Sequence, residues 1–496
     1  MSSTLETTTS NEDLDLEEPK RYERANNEES DRDQSQGRRT SSDEGYTSRY
    51  ESRCLVSVDK FFEITQRNST FTKEILGGIA MFFTSLYILS VQPRILKIGG
   101  VPTKGTKQST ALLTGLGTIS MGLLTGIPLM VSTGLGENYF FSNKIILRNN
   151  SSWKTAGSIV FVQGIIIVLI SWRFLRVKFL SSIPPMFRIG IAFGISLFIG
   201  TLGMKSMINN PVTEEPELHH RLLLAVLCLV FVTSFAQRKQ IYVFLLAPLI
   251  TAVVSQVINA AIRKFEIPKW GLSGLGETAF KLNFDWNVSA VWLIPIMTIN
   301  QLFDSVCTIL TVIQFAYLDN VHFDENKFLE FITQSKTSKI QRVIIVTGVW
   351  SSISGLFCNS QIVPFIESTV AVTVGARTGF SAVITGICFL ISMLVYPLIS
   401  LIPNEATAPL MVYTTAIVIG TIKHVDFHDL NTIIPIVVST ITIPLMSSIL
   451  MGIALGYVTL ILLWLVAPEK KYKNINYTML IVFVLAILGI VYDLYE

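Results

Sequence analysis

Val131-Ser132-Thr133-Gly134-Leu135-Gly136-Glu137-Asn138-Tyr139-Phe140-Phe141 is the stretch on which the reading of this chain turns. It is too short to cross a hydrocarbon layer of ~30 Å, which takes about 20 apolar residues. Its hydroxyls, paired glycines and carboxylate are equally out of place against lipid. Interrupted backbone of this kind is tolerated at membrane depth only when it is buried in protein or lines a cavity. A second short stretch, 363–374, has the same character and holds Glu367 and Ser368.

Outward from these two, apolar runs long enough to span follow one another. They cover 75–91, 110–128, 155–172, 187–204, 222–236, 241–261 and 288–315, then 343–357, 380–402, 406–422, 432–446, 449–466 and 479–494. Of the 496 residues 50% are hydrophobic and only 15% charged, against roughly 25% charged in soluble domains. The sequence therefore describes an all-α polytopic membrane protein and excludes a soluble globule, a coiled coil and a secreted disulfide scaffold. Residues 1–52 differ. The first 50 carry seven Lys/Arg against thirteen Asp/Glu and almost no large aliphatics, so this tail is expected to be disordered and cytoplasmic. It holds no apolar core segment, so the first spanning helix is expected to act as the signal. Arg38-Arg39-Thr40-Ser41-Ser42 within it has the form of a basophilic kinase target, and a plain solvated tail explains it equally well.

Five cysteines without a CxxC suggest neither a disulfide framework nor a zinc site. No cofactor or metal is implied, and a net charge of +3 is too small to imply a nucleic acid partner. Basic residues fall on both sides of the membrane in this reading, which leaves the positive-inside signal mixed. Both termini are placed inside.

The chain echoes itself across its halves. Phe83-Thr84-Ser85-Leu86-Tyr87-Ile88-Leu89 reads against Phe303-Asp304-Ser305-Val306-Cys307-Thr308-Ile309-Leu310 with one insertion, and Pro128-Leu129-Met130-Val131-Ser132-Thr133 reads against Pro364-Phe365-Ile366-Glu367-Ser368-Thr369. Paired discontinuous helices in corresponding halves point to a transporter site near the bilayer midplane.

Three carboxylates stand inside these segments: Glu137, Asp304 and Glu367. A carboxylate at the centre of a membrane helix costs roughly 2.5–3.5 kcal/mol on insertion scales, which marks all three as functional candidates. Gly134 and Gly136 let backbone approach a ligand closely, Asn138 can donate and accept at once, and a half-helix start would add N–H donors. Phe303 and Phe365 flank the carboxylates. Aromatics stack on rings while carboxylates take N–H groups, so the set suits a flat, polar-edged, uncharged ring. Thr84, which echoes Asp304, and Ser368 beside Glu367 join the candidate substrate-binding set. With no intramembrane His or Lys evident, Glu367 or Asp304 is the simplest proton carrier, and sodium coupling stays open.

At these residues the chain resembles a known family. Phe82-Phe83-Thr84-Ser85-Leu86-Tyr87-Ile88-Leu89-Ser90-Val91-Gln92-Pro93 is similar to the first-helix signature of the AzgA-like purine permeases, a branch of the nucleobase–cation symporters or nucleobase–ascorbate transporters. Ile183-Pro184-Pro185, Phe303-Asp304-Ser305, Ile366-Glu367-Ser368 and Gly375-Ala376-Arg377-Thr378-Gly379 recur in family order. Ile402-Pro403, Ala406-Thr407-Ala408-Pro409, Ile434-Pro435 and Pro444-Leu445 follow. The resemblance covers about 61–466 and implies fourteen membrane segments as two inverted repeats of seven, here 53–263 and 264–496, folded into a core domain and a gate domain. It implies purine uptake (hypoxanthine, adenine or guanine) by proton symport with elevator-type alternating access, binding at Asn138, Asp304 and Glu367, and a homodimer in the plasma membrane. The pattern departs at Glu137, where Leu is usual, at Cys307, where Gly is usual, and at Val363-Pro364. Glu137 and Cys307 are therefore candidate specificity positions. The alternatives are an anion transporter of the same architecture and a receptor that binds nucleobase without moving it. An intramembrane enzyme has no nucleophile–base pair or metal-ligand set to support it.

Overall fold

Helix ends at membrane depth need partners, because no water is there to satisfy them, and the architecture follows from where those partners are found. The computed structural model describes residues 53–173, 185–208, 218–238, 243–262, 274–286, 288–317, 339–394, 403–420, 430–446, 449–466 and residue 487. The tail 1–52, its kinase-like motif and all of the run 479–494 except Ile487 lie outside the described residues. A short N-terminal unit ends at Phe61, and the described residues from Phe62 onward form one compact unit.

In the larger unit the described residues supply fourteen segments. The first seven are helix Phe71–Ser85 continued by Ile88–Ile98, helix Thr103–Thr125, strand Val131–Thr133 with helix Leu135–Tyr139 and a π-helical turn Phe140–Arg148, then helices Trp153–Arg173, Pro185–Ile208, Leu218–Gln237 and Val243–Ile262. The second seven are helices Val288–Tyr317 and Lys339–Leu356, strand Ile362–Pro364 with helix Ser368–Val374, then helices Gly379–Leu394, Asn404–Ile419, Leu430–Met446 and Ile449–Val466. Among the described residues, Phe71–Ile98, Trp153–Ser171, Gly190–Met207 and Val291–Ile313 are each long and apolar enough to cross a membrane unaided.

Two packing groups emerge. Trp153–Arg173 lies on Lys339–Leu356, Thr103–Thr125 on Gly379–Leu394, and Phe71–Ser85 on both Gly379–Leu394 and Ser368–Val374. Apart from these, Leu430–Met446 lies on Ile449–Val466, and Asn404–Ile419 on Pro185–Ile208 and Leu218–Gln237. These are the core and the gate. In lipid, helices associate through close van der Waals packing that small residues permit. Gly122 and Gly379 show it: a Cβ on Gly122 would sit 2.4 Å from the Gly379 carbonyl oxygen.

The helix boundaries differ from the apolar runs for a physical reason. The second helix begins at Thr103 rather than at residue 110, because Thr106, Gln108 and Ser109 in its first turns are buried in the protein instead of facing lipid. The first begins at Phe71, and its Glu74 is fully buried. Glu74 Oε1 accepts from the Arg377 and Thr378 backbone N–H groups at 2.7 and 3.1 Å, and Oε2 from that of Ser381 at 3.2 Å. It thereby caps helix Gly379–Leu394 from another segment. The half-helix Ser368–Val374 stops at Gly375, whose φ of 106° is left-handed and whose N–H reaches back to the Ala371 and Val372 carbonyls.

Candidate functional site

The two short stretches of sequence meet. Val131, Thr133, Ile362 and Val363 are β-branched and suit extended backbone, and they form a two-stranded antiparallel ladder with Val131 opposite Pro364, Ser132 opposite Val363 and Thr133 opposite Ile362. Pro364 has no N–H to donate and needs none, because it stands in a non-hydrogen-bonded pair, and the neighbouring Phe365 N–H donates to the Met130 carbonyl at 3.0 Å. The ladder makes Val131–Thr133 the counterpart of Ile362–Pro364. The sequence echo pairs the same two segments in a shifted register, with Val131 against Glu367.

A three-residue strand leaves open edges, which lipid could not satisfy. Thr118 Oγ1 donates to the Val131 carbonyl and accepts from the Val131 N–H, at 3.1 and 3.2 Å. Across the ladder, Gln301 Nε2 donates to the Ile362 carbonyl at 2.9 Å and the Ile362 N–H donates to Ser351 Oγ at 2.9 Å. Behind them Gln92 Nε2 donates to Asn359 Oδ1 at 3.0 Å, Asn359 Nδ2 donates to Ser109 Oγ at 2.7 Å, and Thr110 donates to Gln92 Oε1 at 2.7 Å. This polar lattice fixes the place where both half-helices begin.

In front of the half-helices lies a cavity open on one side. Its core wall carries Tyr87, Glu137, Asp304, Thr308, Phe365 and Glu367, and its gate wall carries Ile195, Phe198, Ile199 and Ile449. The Tyr87 hydroxyl donates to Glu367 Oε1 at 2.6 Å, leaving Oε2 buried and without a partner. Thr308 Oγ1 donates to Asp304 Oδ1 at 3.2 Å, and Asn300 Nδ2 donates to Glu137 Oε1 at 3.2 Å, with Glu137 Oε2 unpartnered. Gly134 makes room for this arrangement, since a Cβ there would fall 1.9 Å from Glu137 Oε2. Three carboxyl groups thus face a cavity whose described lining residues include no Lys, Arg or His.

Of the sequence-predicted residues, Glu137, Asp304, Phe365 and Glu367 line this cavity. Asn138 is buried next to Glu137; its Oδ1 accepts from Ser360 and its Nδ2 has no partner. Phe303 and Cys307 are buried in the core beside Asp304. Thr84 donates to the Ala80 and Met81 carbonyls, each at 3.0 Å, and Ser368 Oγ accepts from the Met130 N–H at 3.0 Å. Tyr87 was not among the candidates. Its signal was present, since a tyrosine in an apolar run needs a partner for its hydroxyl. Among the described residues no three His, Cys, Asp or Glu are grouped to hold a metal ion.

Two interrupted helices meeting at a cavity among span-length apolar helices are the architecture of an integral membrane transporter. The chain belongs to the Permease family (Xan_ur_permease), which it matches over residues 72–455. It is 28% identical over 449 residues to the adenine permease AdeQ of Escherichia coli (strain K12), covering 88% of this chain and 96% of that one. To the guanine/hypoxanthine permease PbuG of Bacillus subtilis (strain 168) it is 27% identical over 451 residues, 86% of this chain and 98% of that one. Among solved structures, the transmembrane domain of the cyanobacterial bicarbonate transporter BicA aligns with a TM-score of 0.51 at 16% identity, over 79% of this chain and 96% of that one. The fold is the seven-plus-seven inverted repeat.

Proposed function

We propose that this chain is a secondary active transporter that imports purine nucleobases with protons. The observation that carries the reading is a cavity faced by Glu367, Asp304 and Glu137, with Phe365 beside them and no cation among its described lining residues. Ionised carboxylates accept N–H donors, which purine edges supply, and they repel anions. That charge argues against an anion substrate in spite of the fold shared with a bicarbonate transporter. The names of the similar permeases favour adenine, guanine and hypoxanthine.

In this reading Glu367 and Asp304 hold the N–H edge of the ring, Phe365 stacks on its face, and Asn138 with the half-helix starts completes the polar frame. Phe303, Thr84 and Ser368 support these positions from behind. Glu367 or Asp304 carries the coupled proton, picked up and lost as the cavity opens to one side and then the other. The core moves against the gate in an elevator motion. The repeats divide at 263/264, and the setting is a homodimer in the plasma membrane with both termini cytoplasmic.

Uptake of labelled hypoxanthine, adenine, guanine, uracil and xanthine by cells lacking their own nucleobase carriers tests this, with and without a protonophore. The expected result is saturable purine uptake that collapses with the proton gradient. Glu367→Gln is expected to abolish uptake while membrane insertion stays normal. Substantial transport by that variant would sink the assignment of Glu367, and purine-insensitive anion flux would sink the substrate class.

A further inference from the structure

Glu137 reaches the cavity from the half-helix Leu135–Tyr139, and Asp304 reaches it from helix Val288–Tyr317. Asn300, which donates to Glu137 Oε1 at 3.2 Å, lies one helical turn before Asp304, so the two carboxyl groups face the cavity side by side. Each carboxyl group already has one oxygen taken up by a donor, Asn300 for Glu137 and Thr308 for Asp304. The remaining Glu137 oxygen, fully buried and folded over Gly134, has no donor at all. The other titratable groups of the lining are Glu367 and Tyr87, and Tyr87 gives its hydroxyl to Glu367. Among the described lining residues there is no cation to separate two negative charges here. Adjacent carboxylates in such a place cannot both ionise, and a proton between them turns repulsion into a hydrogen bond.

We propose that Glu137 and Asp304 hold one proton between them and act as a single donor-and-acceptor subsite, so that Glu137 determines which ring edges the cavity takes. The second half of this rests on the purine reading above. An ionised carboxylate can only accept, whereas a protonated one also donates. Asp304 alone would recognise N–H groups and nothing else. When a ring edge displaces the bridge between them, the pair offers an O–H beside an O⁻, matching an edge that sets an N–H next to a carbonyl, or an amino group next to a bare ring nitrogen. Because the proton can sit on either oxygen, one subsite serves oxopurine and aminopurine edges alike. Asn300 holds Glu137 in register as a positioning residue.

The first test needs no transport. Infrared difference spectra would be recorded on purified protein in lipid without purine, for wild type, Glu137→Gln, Asp304→Asn and the double variant. Each single variant is expected to lose the same protonated-carboxyl C=O band, and the double variant to lose no more than either one. Additive losses, or an unchanged spectrum for Glu137→Gln, would overturn the shared proton. The second test is equilibrium binding of adenine and hypoxanthine to Glu137→Leu, with folding checked by size-exclusion profile. Binding of both is expected to weaken at least tenfold, and unchanged affinity would overturn the role in ring recognition. Should wild-type protein bind no purine, that role falls with the purine reading, while the infrared result still decides the shared proton.

Discussion

The two walls of the cavity are built from different chemistry. On the core side buried amide side chains tie segments together: Gln163 Nε2 to Gln301 Oε1 at 2.9 Å, Gln301 to Ser351 and Ile362, Gln92 to Asn359 and Thr110. On the gate side the links between helices include single hydroxyls on carbonyls, Thr415 to Ser196 at 2.7 Å and Thr440 to Gly190 at 3.0 Å. What the gate shows to the cavity is Ile195, Phe198, Ile199 and Ile449. The contrast separates two jobs. A lattice of two-ended side chains holds interrupted backbone at one geometry, while an aliphatic wall makes no directional bond that a sliding core would have to break. The proposed elevator motion needs both.

The comparison breaks first at Gln301. Its Nε2 donates to Ile362 and Ser351 and its Oε1 accepts from Gln163. Gln301→Leu would leave the Gln163 amide without its partner and the Ile362 carbonyl with only the Ser351 hydroxyl, at 3.3 Å. Each buried group left unsatisfied costs about 1–3 kcal/mol. The expected outcome is a markedly lower melting temperature in detergent and loss of uptake, both measurable on the same preparation. A variant as stable as wild type would mean that the strand crossing is not held by this lattice.

A smaller effect is expected at Tyr87. Tyr87→Phe keeps the ring's packing and removes the hydroxyl that orients Glu367. A hydrogen bond to a charged group contributes about 1.5–3 kcal/mol, so KM for purine uptake should rise roughly tenfold or more, with little change in melting temperature. An unaltered KM would show that Glu367 is positioned without Tyr87.

The different legibility of these residues in the sequence has a physical origin. Glu137, Asp304 and Glu367 stand out because a carboxylate in an apolar run has no ordinary explanation. Gln301 and Tyr87 do not, since amides and phenols are common in membrane helices and their partners lie far along the chain. Glu74 sits one residue before the first apolar run and reads as an interfacial charge. Its buried role depends on three N–H groups more than 300 positions away. The strand pairing is similarly hidden, because three residues carry no periodicity and the register is set by Thr118, Gln301 and Ser351 on other segments. The all-helical membrane fold was legible, because span-length apolar runs are local signals, and the family resemblance implied its fourteen segments. How the segments cross was not.

The smallest effect is expected in the gate. Thr415 Oγ1 donates to the Ser196 carbonyl and also to that of Met411 in its own helix, at 3.0 Å. Thr415→Val removes the hydroxyl, keeps the shape and leaves the Ser196 carbonyl to its own helix. Interhelical hydrogen bonds in membrane proteins average only about 0.6 kcal/mol, so a melting shift of barely a degree or two and an unchanged KM are expected. If the variant instead lost stability on the scale of Gln301→Leu, the gate would also depend on directional bonds. A core that slid past it would then have to break them, and the contrast between the two walls would no longer account for the motion.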